Sequence, residues 1–161
     1  MKKSLYIYPF IFFVILFGSP LVLSQEYKIF KTGHATIYYL EDSQLSDFLW
    51  KIGHLKLTPA IENSLVKNRV DRIIERVEAV LDMYPDNFHT DIFLRSGYKD
   101  GDIAFYSDKT ESITVFVDRV TDGVLAHEVA HAVIIAYFRT PPPAKIQEIL
   151  CRYADAQLWC D

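Results

Sequence analysis

The chain has no surplus of positive charge. Its 17 Lys and Arg stand against 21 Asp and Glu, a formal net charge of -4, and the basic residues are scattered rather than grouped. Nucleic-acid binding is disfavoured on that ground. Cysteine is scarce as well: there are 2, Cys151 and Cys160, both near the end of the chain. On one straight helix they would stand about 13 Å apart, at a rise of 1.5 Å per residue, too far for a disulfide. A bond between them requires the chain to turn back after Gln157. Otherwise Cys151 is a small core residue and Cys160 a free thiol. Internal repeats and low-complexity tracts are missing too.

What is present is enough for one packed domain. Of the 161 residues, 50% are hydrophobic and 14% aromatic, so a sizeable core can form. The start reads as an export signal. Lys2 and Lys3 precede an apolar run from Leu5 to Phe17. Gly18, Ser19 and Pro20 break the run, and Val22-Leu23-Ser24 offers small residues to a signal peptidase. Cleavage is expected after Ser24. That assigns residues 1–24 to a signal peptide and 25–161 to a single exported domain, periplasmic or secreted. The alternative is an uncleaved anchor, for which the run is short. Membrane contact is then expected only through this segment.

Hydrophobic periodicity sets out the rest. Tyr27 to Leu40 alternates as a strand or hairpin, with a turn or bulge at Gly33. Ser43 to Ile52 reads as a short helix, capped by Ser43 or Ser46 and ended by Gly53. From Pro59 to Met83, apolar residues recur at three and four, which predicts a long helix. Tyr84-Pro85-Asp86-Asn87 stops it. Thr90 to Arg95, Ile103 to Tyr106 and Ile113 to Val117 read as strands, the last two joined as a hairpin. An amphipathic helix then starts at Thr121 or Asp122 and runs to about Phe138. Pro141-Pro142-Pro143 ends it and opens a last helix from about Ala144 to Leu158. The expected fold is α+β: a small mixed or antiparallel sheet with helices packed on one face.

The chemistry is concentrated in His127-Glu128-Val129-Ala130-His131, an H-E-x-x-H sequence. Residues four apart lie on one helix face, so both imidazoles can reach one metal ion. Glu128 cannot point at the same spot, but it can reach a water beside the metal and act as general base. A catalytic zinc needs a third protein ligand and an open fourth position. His34, His54 and His89 all lie upstream, so a third-histidine site in the following turns is excluded. Among the downstream carboxylates Glu148, Asp155 and Asp161, Glu148 is the best placed. It lies in the first turns of the next helix, after a tight proline turn.

Those residues resemble the gluzincin metallopeptidases, in particular the peptidase-MA-like proteins and the minigluzincins. In that family the HExxH helix is followed by a Pro-rich turn and a helix reading roughly P-x-W-x-x-E-G-x-A-x-Y. Here Ala144 to Tyr153 places Glu148 at the metal-binding glutamate, Cys151 at the small residue and Tyr153 at the aromatic one. Ile149 stands at the usual glycine, and the tryptophan is absent. Thermolysin-like enzymes carry an aspartate four residues after the glutamate; here that residue is Arg152, with Asp155 as a substitute. Ile103-Ala104-Phe105-Tyr106 is similar to the N-A-F-W edge strand of those enzymes, which pairs with extended substrate. His34 to Tyr39 is similar to the first strand of the peptidase-MA-like proteins.

The resemblance implies a zincin-like fold with a long backing helix, an HExxH helix and a C-terminal glutamate helix. It implies zinc on His127, His131 and Glu148, with Glu128 as base. Ala104, Phe105 and Tyr106 would be the substrate edge. Tyr39, Tyr98, Tyr106 and Tyr153 each offer a hydroxyl to an oxyanion, Tyr153 first because it shares the ligand helix. The expected activity is zinc-dependent hydrolysis of a peptide or protein substrate by a monomer. Two rivals stand beside it. One is a catalytically silent zinc-binding scaffold on the same frame, favoured by the small size and half-built cleft. The other is a metal-free structural domain with a chance motif.

Overall fold

The structure is a computed structural model, and it describes residues 26–53 and 64–160. The expected signal segment, His54 and the stretch from Pro59 to Asn63 lie outside the described residues. Two strands, β1 (Lys28–Lys31) and β2 (Ala35–Tyr39), lead into α1 (Asp42–Gly53) and α2 (Ser64–Leu81). Three more follow, β3 (Thr90–Arg95), β4 (Ala104–Ser107) and β5 (Ser112–Phe116), and then α3 (Asp122–Tyr137) and α4 (Ala144–Gln157). The fold is α+β.

The five strands form one mixed sheet in the order β1-β2-β3-β5-β4. The inner pairs β2–β3 and β3–β5 are parallel, and the outer pairs are antiparallel. The alternation read from the sequence sorts the two faces, because successive side chains of a strand point to opposite sides. Ala35 and Ile37, Ile92 and Leu94, and Ile113 and Val115 are all fully buried. The register aligns them across the sheet: Ile37 beside Ile92, Ile92 beside Ile113, Leu94 beside Val115. The opposite face carries Tyr38 stacked on Phe93 at 4.6 Å, with Tyr27 edge-on to Phe93 at 5.7 Å.

The expected hairpin at Tyr27 to Leu40 is β1–β2, and Gly33 lies in its turn. The turn is fixed from α2: Asp71 accepts from the backbone N–H groups of Gly33 and His34, each at 2.9 Å. A Cβ on Gly33 would approach Asp71 Oδ2 to 3.1 Å, which explains glycine there. At α1, Gln44 Oε1 accepts from the N–H groups of Leu40 and Glu41. That capping role falls to neither of the serines expected for it.

The helix α3 departs from the amphipathic pattern expected of it. Leu125, Ala126, Val129, Ala130, Ala132, Val133 and Ile134 are all buried, which leaves only a narrow polar stripe. The reason is position: α3 packs against α2, α4, β4 and β5 at once, and a helix covered on most sides is apolar on most sides. Its start is the expected one, with Thr121 Oγ1 accepting from Val124 N at 3.2 Å.

The end of the chain is tied back to this start. Asp122 Oδ2 accepts from Trp159 Nε1 at 2.7 Å and lies 3.3 Å from an Arg69 guanidinium nitrogen. Arg69 in turn donates to Ile52 O at 2.8 Å and lies over the Trp159 ring. Cys151 is buried and Cys160 exposed, and both thiols are free. The open choice over the disulfide therefore resolves to no bond.

Candidate metal centre

The polar stripe of α3 consists of the motif residues. His127 and His131 lie one turn apart, with ring centroids 5.2 Å from each other. Their side chains are 22% and 17% exposed, so both rings are held in packed surroundings with one side open. Glu128 is rotated about 100° further round the helix and faces β4. Its Oε2 accepts from the backbone N–H of Tyr106 at 2.8 Å.

The third group comes from α4. Phe138 ends α3. The chain then passes through the three prolines, and Pro143 stands at the cap of α4. Gln147 Nε2 donates to Pro142 O at 2.8 Å, which holds this turn against the new helix. Glu148 lies in the second turn of α4, over the histidines. Its Oε1 lies 3.3 Å from His131 Nε2 and its Oε2 lies 3.5 Å from His127 Nε2. A neutral imidazole carries one lone pair and one N–H, so the carboxylate can meet these nitrogens through an N–H or through a cation that all three groups share. Two imidazoles and one carboxylate are a donor set that suits zinc.

A fourth donor, Cys151, sits beside them. Its Sγ and one ring nitrogen each of His127 and His131 all lie within 4.8 Å of one another. The sequence leaves Cys151 open as a disulfide partner or a small core residue, and neither alternative is a metal donor. The signal was there: Cys151 follows Glu148 by three residues, so the two share a helix face.

Burial dominates the electrostatics. It pushes the Glu128 carboxyl upward, against the Tyr106 N–H and the nearby histidines, which pull it down. Burial also raises the Cys151 thiol to about 12, reinforced by the charges of Glu148 and Glu128. The Tyr106 phenol rises to about 12, first by burial and then through Asp108 and Glu111.

A cleft of about 440 Å³ opens over this group. Its walls include Ala104, Phe105 and Tyr106 together with both histidines, Glu128 and Glu148. Asp102, Asp108 and Gln147 also line it, and no motif in the sequence marks them as site residues. β4 is an edge strand. Ile103 O accepts from Phe116 N at 2.9 Å, so by antiparallel alternation Phe105 and Ser107 also turn their backbone groups to β5. Ala104 and Tyr106 turn theirs outward. The Tyr106 N–H is already used by Glu128.

Not every expected residue is brought here. Tyr153 is 53% exposed and does not line the cleft. Five residues beyond Glu148, it lies about 140° away around the helix. The Tyr98 hydroxyl donates to Gly101 O at 2.9 Å, and of the four tyrosines only Tyr106 lines the cleft. Asp155 stands away from the donor cluster. Its carboxylate lies against Gly123 at the start of α3, where any Cβ would collide with it. There it lines a second hollow of about 320 Å³ that also reaches His127 and Glu128. The other described histidines are engaged elsewhere: His89 Nε2 is 2.8 Å from Thr36 Oγ1, and His34 Nε2 is 3.8 Å from Glu75.

Comparison of the chain with protein-family models, curated proteins and solved structures finds no match in any of the three.

Proposed function

We propose that this protein is a zinc-dependent peptidase with a gluzincin-type centre. One observation carries the reading: the Glu148 carboxylate on α4 meets the Nε2 atoms of both motif histidines on α3, at 3.5 and 3.3 Å. The gluzincin resemblance of the sequence and the packing of α2 and α4 on α3, which itself lies against β4 and β5, support it. His127, His131 and Glu148 are the residues that would hold the ion. When bound, zinc supplies a Lewis acid for the scissile carbonyl and lowers the pKa of water at its open position.

The chain's own residues supply the rest. Glu128, one residue past the first ligand, takes a proton from the attacking water at a carboxylate oxygen and passes it to the leaving amine nitrogen. Tyr106 N–H fixes that carboxylate through one oxygen and leaves the other free for the water. The outward backbone groups of Ala104 and the carbonyl of Tyr106 pair with an extended peptide, as an edge strand does. Phe105, 43% exposed on the same strand, offers apolar contact to a substrate side chain. Tyr153 has no part in this scheme.

The test is cleavage of a broad peptide library by the zinc-loaded protein and by Glu128→Gln. Cleavage by the parent and its loss in the variant, with zinc retained, supports the reading. Zinc binding with no cleavage of any peptide replaces it with the silent scaffold. A melting temperature indifferent to chelators and to added zinc replaces it with the metal-free domain.

A further inference from the structure

We propose that Cys151 is a further metal donor, whose thiolate occupies the fourth position of the resting centre and gives way to water when the centre hydrolyses a peptide. The inference rests on the reading of His127 and His131 as metal ligands. Three observations carry it. First, the Cys151 sulfur and a ring nitrogen of each histidine all lie within 4.8 Å of one another, so a modest movement of side chains brings all three onto one ion. Second, Cys151 is 0% exposed, and among the described residues its thiol has no hydrogen-bond partner. A polar group enclosed beside the two converging imidazoles is placed to serve the same cation. Third, Glu148 and Cys151 are three residues apart on α4, on the face turned to α3. The same docking of α4 on α3 therefore delivers both.

The chemistry follows from the donor count. Two imidazoles, a carboxylate and a thiolate make four protein ligands, the number that fills a tetrahedral zinc site. Water and the thiolate then compete for one position. As the bond from sulfur to the cation forms, the S–H proton leaves to solvent, and nothing is oxidised. A set containing a thiolate favours zinc, cobalt and cadmium over hard cations such as magnesium and calcium.

The experiment is the absorption spectrum of the cobalt(II)-loaded protein. Cys160 is exposed and is a second thiol, so it is replaced by serine throughout. The parent is expected to show visible cobalt bands together with a sulfur-to-cobalt charge-transfer band in the near ultraviolet. Cys151→Ala should lose the charge-transfer band and keep the visible bands; Glu148→Gln should keep the charge-transfer band. Visible bands without charge transfer in the parent would overturn the role of Cys151 and leave the His-His-Glu centre standing. No cobalt bound at all would overturn both.

Discussion

The backbone N–H of Tyr106 donates to Glu128 Oε2 at 2.8 Å, so the edge strand that borders the cleft also orients the candidate base. Glu128→Gln keeps an oxygen to accept this bond but cannot take a proton. Its zinc content should equal the parent's. Its kcat/KM on a cleaved peptide should fall by roughly 10²–10⁴. Retained activity in that variant would contradict the mechanism.

Tyr153 is exposed and turned away from Glu148, so Tyr153→Phe should leave kcat/KM within about twofold of the parent, too small a change for a lost oxyanion donor. Steady-state kinetics on the same peptide checks this. A loss of a hundredfold would restore Tyr153 to the chemistry and show that α4 sits differently on α3.

Asp71 holds the β1–β2 turn to α2 through two backbone N–H groups. Hydrogen bonds to a charged acceptor contribute about 1.5–3 kcal/mol. Asp71→Ala is therefore expected to cost about 2 kcal/mol in urea unfolding. An unchanged midpoint would mean that the turn is held by other contacts.

Asp118 gives a pH dependence with a definite sign. Its Oδ2 accepts from the N–H groups of Tyr98 and Gly97, at 3.0 and 2.8 Å. The bond from Tyr98 first, and then that from Gly97, hold its carboxyl below the ordinary carboxylate range. A folded value below the unfolded one means that the stabilisation is present above the unfolded pKa of about 4. It is lost as the pH falls through the folded value. Asp118→Asn should show a smaller drop in melting temperature between neutral and acid pH than the parent. The group is almost fully exposed, so the difference should be small. A larger drop in the variant would reverse the sign and refute the assignment.

Much of this arrangement was legible in the residues. The spacing of His127 and His131 is a statement about one helix turn, and that geometry does not depend on the rest of the fold. Thr90 to Arg95 alternates because one face of β3 is buried. What could not be read depends on how elements meet. Cys151 shares a face with Glu148 by spacing alone, yet only the docking of α4 on α3 turns that face to the histidines. The Tyr106–Glu128 contact uses a backbone group, which leaves no mark in a side-chain pattern. The polar stripe of α3 is narrower than expected because five neighbouring elements cover the helix, and the positions of those neighbours are set by the whole chain. Tyr153 lies off the cleft for a simpler reason: five residues along a helix is not a repeat of its face.

The most direct test of the centre is the zinc content and affinity of the purified chain beside His131→Ala and Glu148→Ala. The account predicts one zinc per chain in the parent, its loss in His131→Ala, and an affinity weakened by at least about tenfold in Glu148→Ala, a difference of about 1.4 kcal/mol. A parent that takes up no zinc even when the metal is supplied would contradict it, and the H-E-x-x-H sequence would then be a coincidence on a buried helix.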